Sequence, residues 1–222
     1  MDASRTLVNH GIFVNRDILV DRDILVECGI LVNLIYHPVY VLGPGERVGL
    51  WTQGCSIKCK GCMSKHTWAF DKKKEMNIKT LRDKLKSYNC NRLTISGGEP
   101  FDQPEAFFEL LKAIRNIFTD ILVYTGYRME IIQEKFKEHL KFIDVLVDGE
   151  FIDGLESDLI YKGSQNQRIF VLNNNLLNIY KDWMSKKKEK ILQIVEKENG
   201  IYIIGIPYQE DMRRLTTVYK FR

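Results

Sequence analysis

From residue 36 onward the chain alternates short apolar runs with stretches in which apolar residues recur every three or four positions. The runs Val48 to Thr52, Arg92 to Ile95, Ile121 to Thr125, Ile143 to Val147, Arg168 to Leu172 and Gly200 to Ile206 have strand length and are bounded by turn-forming residues, which predicts buried strands. Ile78, Leu81 and Leu85 give Asn77 to Tyr88 the spacing of an amphipathic helix. Phe107, Leu110, Leu111 and Ile114 mark a second helix, starting at Asp102 or Gln103-Pro104. Met129 to His139 reads as a third helix and Asn178 to Glu198 as one long fourth, while Asp148 to Gln167 is less regular. His37 to Leu42 reads as extended, with a turn at Gly43-Pro44-Gly45-Glu46-Arg47. Strand, loop and helix in repetition are the signature of βαβ units around a mainly parallel sheet.

The first 35 residues follow a different period. Residues 8 to 31 are a tandem hexapeptide array, VNHGIF, VNRDIL, VDRDIL and VECGIL, with a trace of a fifth unit at Val32-Asn33. A period of six places equivalent positions about 240° apart on a helix, so the array is no helical repeat, and four hexads are too few for a solenoid. Residues 1–35 are therefore expected to form a repetitive leader, poorly ordered or strand-like, ahead of a domain spanning 36–222. Residues 176–222 add a helix–strand extension to that domain. An arm pairing with a sheet edge is the alternative for the leader.

Composition narrows the class without fixing a partner. With 45% hydrophobic and 28% charged residues the chain has the balance of a globular protein. Its net charge of +4 is too mild to imply nucleic acid. The basic run Ser185 to Lys190 is interspersed with Glu189, Glu196 and Glu198 nearby, the pattern of a solvated helix face. No nucleic-acid binding is expected. The apolar segment Ile30 to Leu42, broken by His37 and Pro38, falls short of the ~20 residues that span a bilayer. The start of the chain carries an early acid and no apolar signal core, so a cytoplasmic protein without membrane association is expected.

The chemistry concentrates between Gly54 and Trp68, GCSIKCKGCMSKHTW, which brings Cys55, Cys59 and Cys62 into one loop. The remaining two of the five cysteines, Cys28 and Cys90, lie apart, a distribution that points to metal chemistry in a reducing compartment rather than to disulfides. An iron–sulfur cube has four iron corners, so three thiolates leave one iron free for a small molecule. The competing possibility is a structural zinc site completed by His66 or Cys90. A second motif, Ser96-Gly97-Gly98-Glu99-Pro100, ends the apolar run 92–95. Its two glycines would let backbone approach a ligand closely, or would simply make a tight turn.

Taken together, the CX₃CX₂C loop and GGEP resemble the radical S-adenosylmethionine (SAM) superfamily. Gln53-Gly54-Cys55, Cys59-Lys60-Gly61-Cys62, Lys65 to Trp68, Tyr124-Thr125-Gly126-Tyr127, Leu146 to Phe151 and Gly163 to Gln167 narrow the resemblance to the activating enzymes of anaerobic ribonucleotide reductase, across about residues 36 to 172. Ser64 stands where those enzymes commonly have asparagine, Gln165 where they have serine, and the chain continues past Leu172 where short activases end.

The resemblance implies a partial (β/α)6 barrel of α/β class, with about six parallel strands, open on one side, and the site at the strand carboxyl ends. It implies a 4Fe-4S cluster on Cys55, Cys59 and Cys62, and SAM contacted by Gly97, Gly98, Glu99 and Pro100. Thr125 and Asp148, at successive strand ends, are further SAM candidates, with turn and capping chemistry as their alternative. No catalytic side chain is assigned. The implied activity is reductive cleavage of SAM to a 5′-deoxyadenosyl radical that installs a glycyl radical on a partner enzyme, with a flavodoxin- or ferredoxin-type electron donor. Modification of a peptide or small molecule, and a zinc-binding interaction module, are the alternatives. Tyr127 and Trp68 read as packing residues, with walling of the radical site as their alternative, and Arg47 as a ligand for a carboxylate or phosphate or as a surface ion pair.

Overall fold

The computed structural model describes residues 28–187, 191–197 and 200–218. The first 27 residues, and with them most of the hexapeptide array, lie outside the described residues. The end of its last unit, from Cys28, is described: Gly29–Val39 is strand β1, with Ile30, Val32 and Ile35 buried in the main core. Residues 29–35, expected in the leader, therefore belong to the sheet, because this strand supplies apolar side chains to its core.

A seven-stranded sheet organises the domain. Its members are β1, β2 (Arg47–Thr52), β3 (Glu75–Asn77), β4 (Arg92–Gly97), β5 (Asp120–Tyr124), β6 (Val145–Asp148) and β7 (Arg168–Val171), in the order β3-β1-β2-β4-β5-β6-β7. The central four, β2, β4, β5 and β6, run parallel. The six parallel strands expected from the sequence are thus four, flanked by antiparallel neighbours on both sides. The reason lies in the connections: a parallel pair needs a long crossover, whereas β1 reaches β2 through a short turn and β6 reaches β7 through residues 149–167, which contain no helix.

Helices α1 (Ile78–Ser87), α2 (Pro104–Ile114) and α3 (Met129–Lys135) fill the crossovers. In α1, Ile78, Leu81 and Leu85 are fully buried, and the Asn77 side chain accepts hydrogen bonds from the N–H groups of Lys79 and Thr80 at its start. Phe107, Leu110, Leu111 and Ile114 of α2 enter the same core, with Pro104 in the first turn where its missing N–H costs nothing.

Arg47 binds a carboxylate, but one inside the domain, and it is not a surface residue. It is fully buried at the start of β2, where Nη1 donates to Asp120 Oδ2 (2.6 Å), Nη2 to Asp120 Oδ1 (3.0 Å) and Nε to Thr94 Oγ1 (2.7 Å). Tyr180, on α4 (Leu177–Met184), donates its hydroxyl to the same Asp120 at 2.8 Å, tying this helix to the sheet.

The long helix expected over 178–198 is α4 alone, eight residues, followed by an antiparallel hairpin of β8 (Gln193–Lys197) and β9 (Gly200–Ile204) and by α5 (Gln209–Val218). The hairpin's Val195 and Ile204 are buried with Val39, Val41 and Leu42 in a separate apolar cluster, which removes this segment from any helical face.

Candidate cofactor site

The carboxyl ends of the parallel strands meet in a cavity of about 600 Å³. Cys55, Cys59 and Cys62 all line it, in the loop that leaves β2. Gly97, Gly98 and Glu99 from the end of β4, and Thr125 from the end of β5, line it too. Pro100 and Asp148 do not. Pro100 is buried at the first position of a 3-10 turn behind the cavity. Asp148 is fully buried, accepts the Met129 N–H at the start of α3 (2.7 Å), and pairs with the Arg168 guanidinium. Capping chemistry accounts for this strand-end carboxylate.

The glycine motif holds the cysteine loop in place. A β-carbon at Gly98 would stand 2.1 Å from the Gly54 carbonyl oxygen, and one at Gly97, whose φ is +107°, would stand 2.5 Å from the Thr52 nitrogen. That closeness permits two backbone hydrogen bonds, from Gly98 N–H to Thr52 O (2.9 Å) and from Glu99 N–H to Gly54 O (2.8 Å). The far side of the loop is closed by Gly54 N–H to Thr67 O (2.7 Å) and Cys55 N–H to Trp68 O (3.1 Å). The Asp102 carboxylate adds a further anchor, accepting from the Ser56 N–H (2.5 Å), the Ser56 hydroxyl (3.0 Å) and the Tyr127 hydroxyl (2.7 Å). Sequence reasoning placed Asp102 only at a helix start. Its hold on the residue after Cys55 depends on two strand ends being adjacent, which no local pattern reveals.

Glu99 links this loop to the next strand end. Its buried carboxylate accepts from Thr125 Oγ1 (2.8 Å), Gly126 N–H (2.8 Å) and Phe101 N–H (3.1 Å). Burial raises its pKa to about 7, against the lowering effect of those donors. Thr125 is therefore the partner of Glu99 as well as a cavity residue.

The donor set suits an iron–sulfur cluster. Burial pushes the Cys55 thiol up in pKa, opposed by the backbone N–H groups of Lys58 and Ile57 that point at the sulfur. Cys59 is raised by burial and further by the charges of Cys62 and Cys55, and it receives the Phe151 N–H. Ser64 N–H donates to Cys62 Sγ at 3.3 Å. The backbone donors at Cys55 and Cys59 favour the thiolate, and nearby cationic iron would favour it further. Among the described residues, no three His, Cys, Asp or Glu side chains are placed to share one metal ion. Cys90 lies at the amino-terminal end of β4, at the other end of the sheet from the loop, and contacts the Glu46 and Arg92 carbonyls. His66 is exposed and does not line the cavity.

Two further cavity residues carry buried polar atoms without a partner among the described residues, the Trp68 indole N–H and the Tyr124 hydroxyl. The sequence suggests packing or a wall of the site for Trp68, and places Tyr124 in a motif without giving it a role. The two positions that depart from the activase pattern make local contacts of their own. At Ser64 the contact to Cys62 is made by backbone, and the exposed Gln165 bonds the Glu156 carbonyl while Gln167 joins the N–H groups of Gly163 and Ser164 to the Gly149 carbonyl.

Comparison with known proteins agrees with this arrangement. The family described as a 4Fe-4S single cluster domain matches residues 41–170. The chain is similar to the anaerobic ribonucleoside-triphosphate reductase-activating proteins of Enterobacteria phage T4 (34% identical over 144 residues, 61% of this chain and 90% of that one) and Salmonella typhi (35% over 145 residues, 60% and 93%). That of Escherichia coli is 33% identical over 145 residues, again 60% and 93%. A solved structure, QueE from Escherichia coli, matches with a TM-score of 0.37 and 18% identity over 44% of this chain and 52% of its own, a likeness too slight to argue from.

Proposed function

The chain belongs to the family of anaerobic ribonucleoside-triphosphate reductase-activating proteins, single-cluster 4Fe-4S enzymes of the radical SAM type, and from that premise we propose the task of each part of its cavity. The observation that carries the proposal is the convergence of three cysteines with Gly97, Gly98 and Glu99 on one cavity at the strand carboxyl ends.

Cys55, Cys59 and Cys62 would hold a 4Fe-4S cluster, with Gly97, Gly98 and Glu99 beside it to contact SAM. With one electron from a low-potential donor of the flavodoxin or ferredoxin kind, the bound group supplies reductive cleavage of the sulfonium to methionine and a 5′-deoxyadenosyl radical, which takes a hydrogen atom from a glycine Cα of the partner. The chain's own residues do the positioning. The Gly97-Gly98 approach to Thr52 and Gly54 fixes the height of the cysteine loop above the sheet. Glu99, braced by Thr125 and Gly126, presents a carboxylate to a cationic ligand, and ionises fully once such a ligand binds. The unpartnered Trp68 N–H and Tyr124 hydroxyl offer hydrogen bonds to polar ligand atoms. Apolar walls from Trp51, Ile57 and Phe151 keep water from the radical.

The partner is an anaerobic ribonucleoside-triphosphate reductase, and the seven-stranded sheet acts as a partial barrel left open so that a loop of that enzyme reaches the cavity. A cytoplasmic setting, where thiols stay reduced, fits five free cysteines. Among the described residues no helix is long and apolar enough to cross a membrane. The test is to mix the anaerobically reconstituted protein with reductant, SAM and the reductase. The expected result is a glycyl radical signal by electron paramagnetic resonance, with deuterium passing from deuterated glycine into 5′-deoxyadenosine. SAM cleavage without a protein radical would refute the partner.

A further inference from the structure

Residues 191–218 lie beyond the stretch that the family matches, and the relatives compared above have about a tenth or less of their length outside the aligned region. In this chain the additional segment enters the cavity. Ile203 to Pro207, at the end of β9 and just after it, and Met212 and Arg213 of α5 line it, together with the cysteine loop, the ends of β4 and β5 and residues from the 149–167 connection. The hairpin is fastened to the domain. Val195 and Ile204 are buried against Val39, Val41 and Leu42. The Gln193 side chain donates to the Pro38 carbonyl (2.6 Å) and accepts from the Tyr40 N–H (3.3 Å). Gly205 turns the chain at φ +134°, and a β-carbon there would meet the Leu192 side chain at 3.0 Å and the Ile191 carbonyl at 3.3 Å.

We propose that this hairpin is a specificity-determining wall, against which the glycine-bearing segment of the partner enzyme lies. The proposal rests on the function given above and extends it to residues outside the family's shared core. A glycine offers no side chain to grip, so the segment around it must be recognised through its backbone and its flanking residues. A surface built from isoleucine, glycine and proline supplies apolar contact to such a segment without competing for its backbone hydrogen bonds. Because the wall closes the cavity on that side, it also keeps water and stray hydrogen donors from the radical. Ile203 and Ile206, which are only partly buried and line the cavity, make the contact. Gln193, which does not line it, is a positioning residue that holds the hairpin in place.

The test combines binding with coupling. The reductase is titrated calorimetrically into the anaerobically reconstituted protein, and 5′-deoxyadenosine formed per glycyl radical is counted in the same preparation. The double variant Ile203→Ala/Ile206→Ala is expected to weaken reductase binding roughly tenfold, as loss of apolar contact of this size implies. It should also raise the 5′-deoxyadenosine-to-radical ratio at least about twofold, as the radical finds other hydrogen donors. Gln193→Ala, which leaves the wall's side chains intact, should move both readouts in the same direction by a smaller factor. Wild-type binding and coupling in both folded variants would overturn the wall while leaving the proposed function standing. A wild-type protein that binds no reductase would overturn both. One that binds it through this wall yet yields no glycyl radical would overturn the function alone.

Discussion

Replacing Gly98 by alanine tests whether the glycine motif acts by clamping the cysteine loop. The added β-carbon would lie 2.1 Å from the Gly54 carbonyl oxygen and 2.8 Å from the Gly54 carbonyl carbon, both backbone atoms that no rotamer change can move. Reaching the 3.0 Å lower limit of real contacts requires a shift of 3.0 − 2.1 = 0.9 Å. That shift would stretch the 2.8 Å bond from Glu99 N–H to Gly54 O beyond hydrogen-bonding range. Overpacking costs about 1–3 kcal/mol and a broken buried backbone pair about 1–3 kcal/mol. A combined loss of about 3 kcal/mol is expected, which at ~2 kcal/mol/M lowers the urea midpoint by roughly 1.5 M. The assay is urea unfolding of the iron-free, reduced protein, followed by measurement of iron retained after reconstitution, which should fall as well. Gly154→Ala is the control: its φ is +84° but nothing lies within 4 Å, so only the backbone cost of about 1–2 kcal/mol applies. Equal stability and equal iron retention in the two variants would refute the clamp.

Arg47→Met should lose about 3–5 kcal/mol by leaving the buried Asp120 carboxylate uncompensated, with iron content per folded molecule unchanged, since the pair sits at the opposite end of β2 from the cysteines. Glu99 makes iron-free stability depend on pH. Its folded pKa of about 7 lies above the ordinary 4.5, so its contribution is fully present below pH ~4.5 and is lost as pH rises through 7, by about 3 kcal/mol in all. Comparing Glu99→Gln with the wild-type protein across pH 4.5 to 8 should show this slope in the latter only, and parallel profiles would contradict it. Asp102→Ala frees the Ser56 N–H and should speed iron loss to a chelator several-fold, a result that unchanged release kinetics would exclude.

Much of the site was legible because its chemistry is local. The three cysteines fall in one loop after an apolar run, and Gly97-Gly98-Glu99 directly follows another, so the parallel placement of β2 beside β4 brings them together. What was not legible depends on contacts distant in sequence. Asp148 has the position of a ligand at a strand end, but Arg168, 20 residues on, and the start of α3 occupy its oxygens. Arg47 read as an anion ligand or a surface ion pair because its partners Thr94 and Asp120, and Tyr180 that bonds Asp120 in turn, come from three other elements. The segment 178–198 has helical spacing in its first half, yet Val195 turns into the cluster around Val39 and pairs with Tyr202, a tertiary gain that outweighs weak helix propensity. Gly29 to Leu31, which close the last hexapeptide unit, take a place in the sheet through the pairing of β1 with β2 and β3, partners that no local pattern names.

The most direct measurement is iron, sulfide and 5′-deoxyadenosine in the anaerobically reconstituted protein beside its Cys55→Ala, Cys59→Ala and Cys62→Ala variants. About four irons and four sulfides per chain, with 5′-deoxyadenosine formed on reduction with SAM and abolished in all three variants, is the predicted result. A wild-type protein that holds a single zinc and leaves SAM intact, or a cysteine variant that keeps full activity, would contradict the assignment of this cavity.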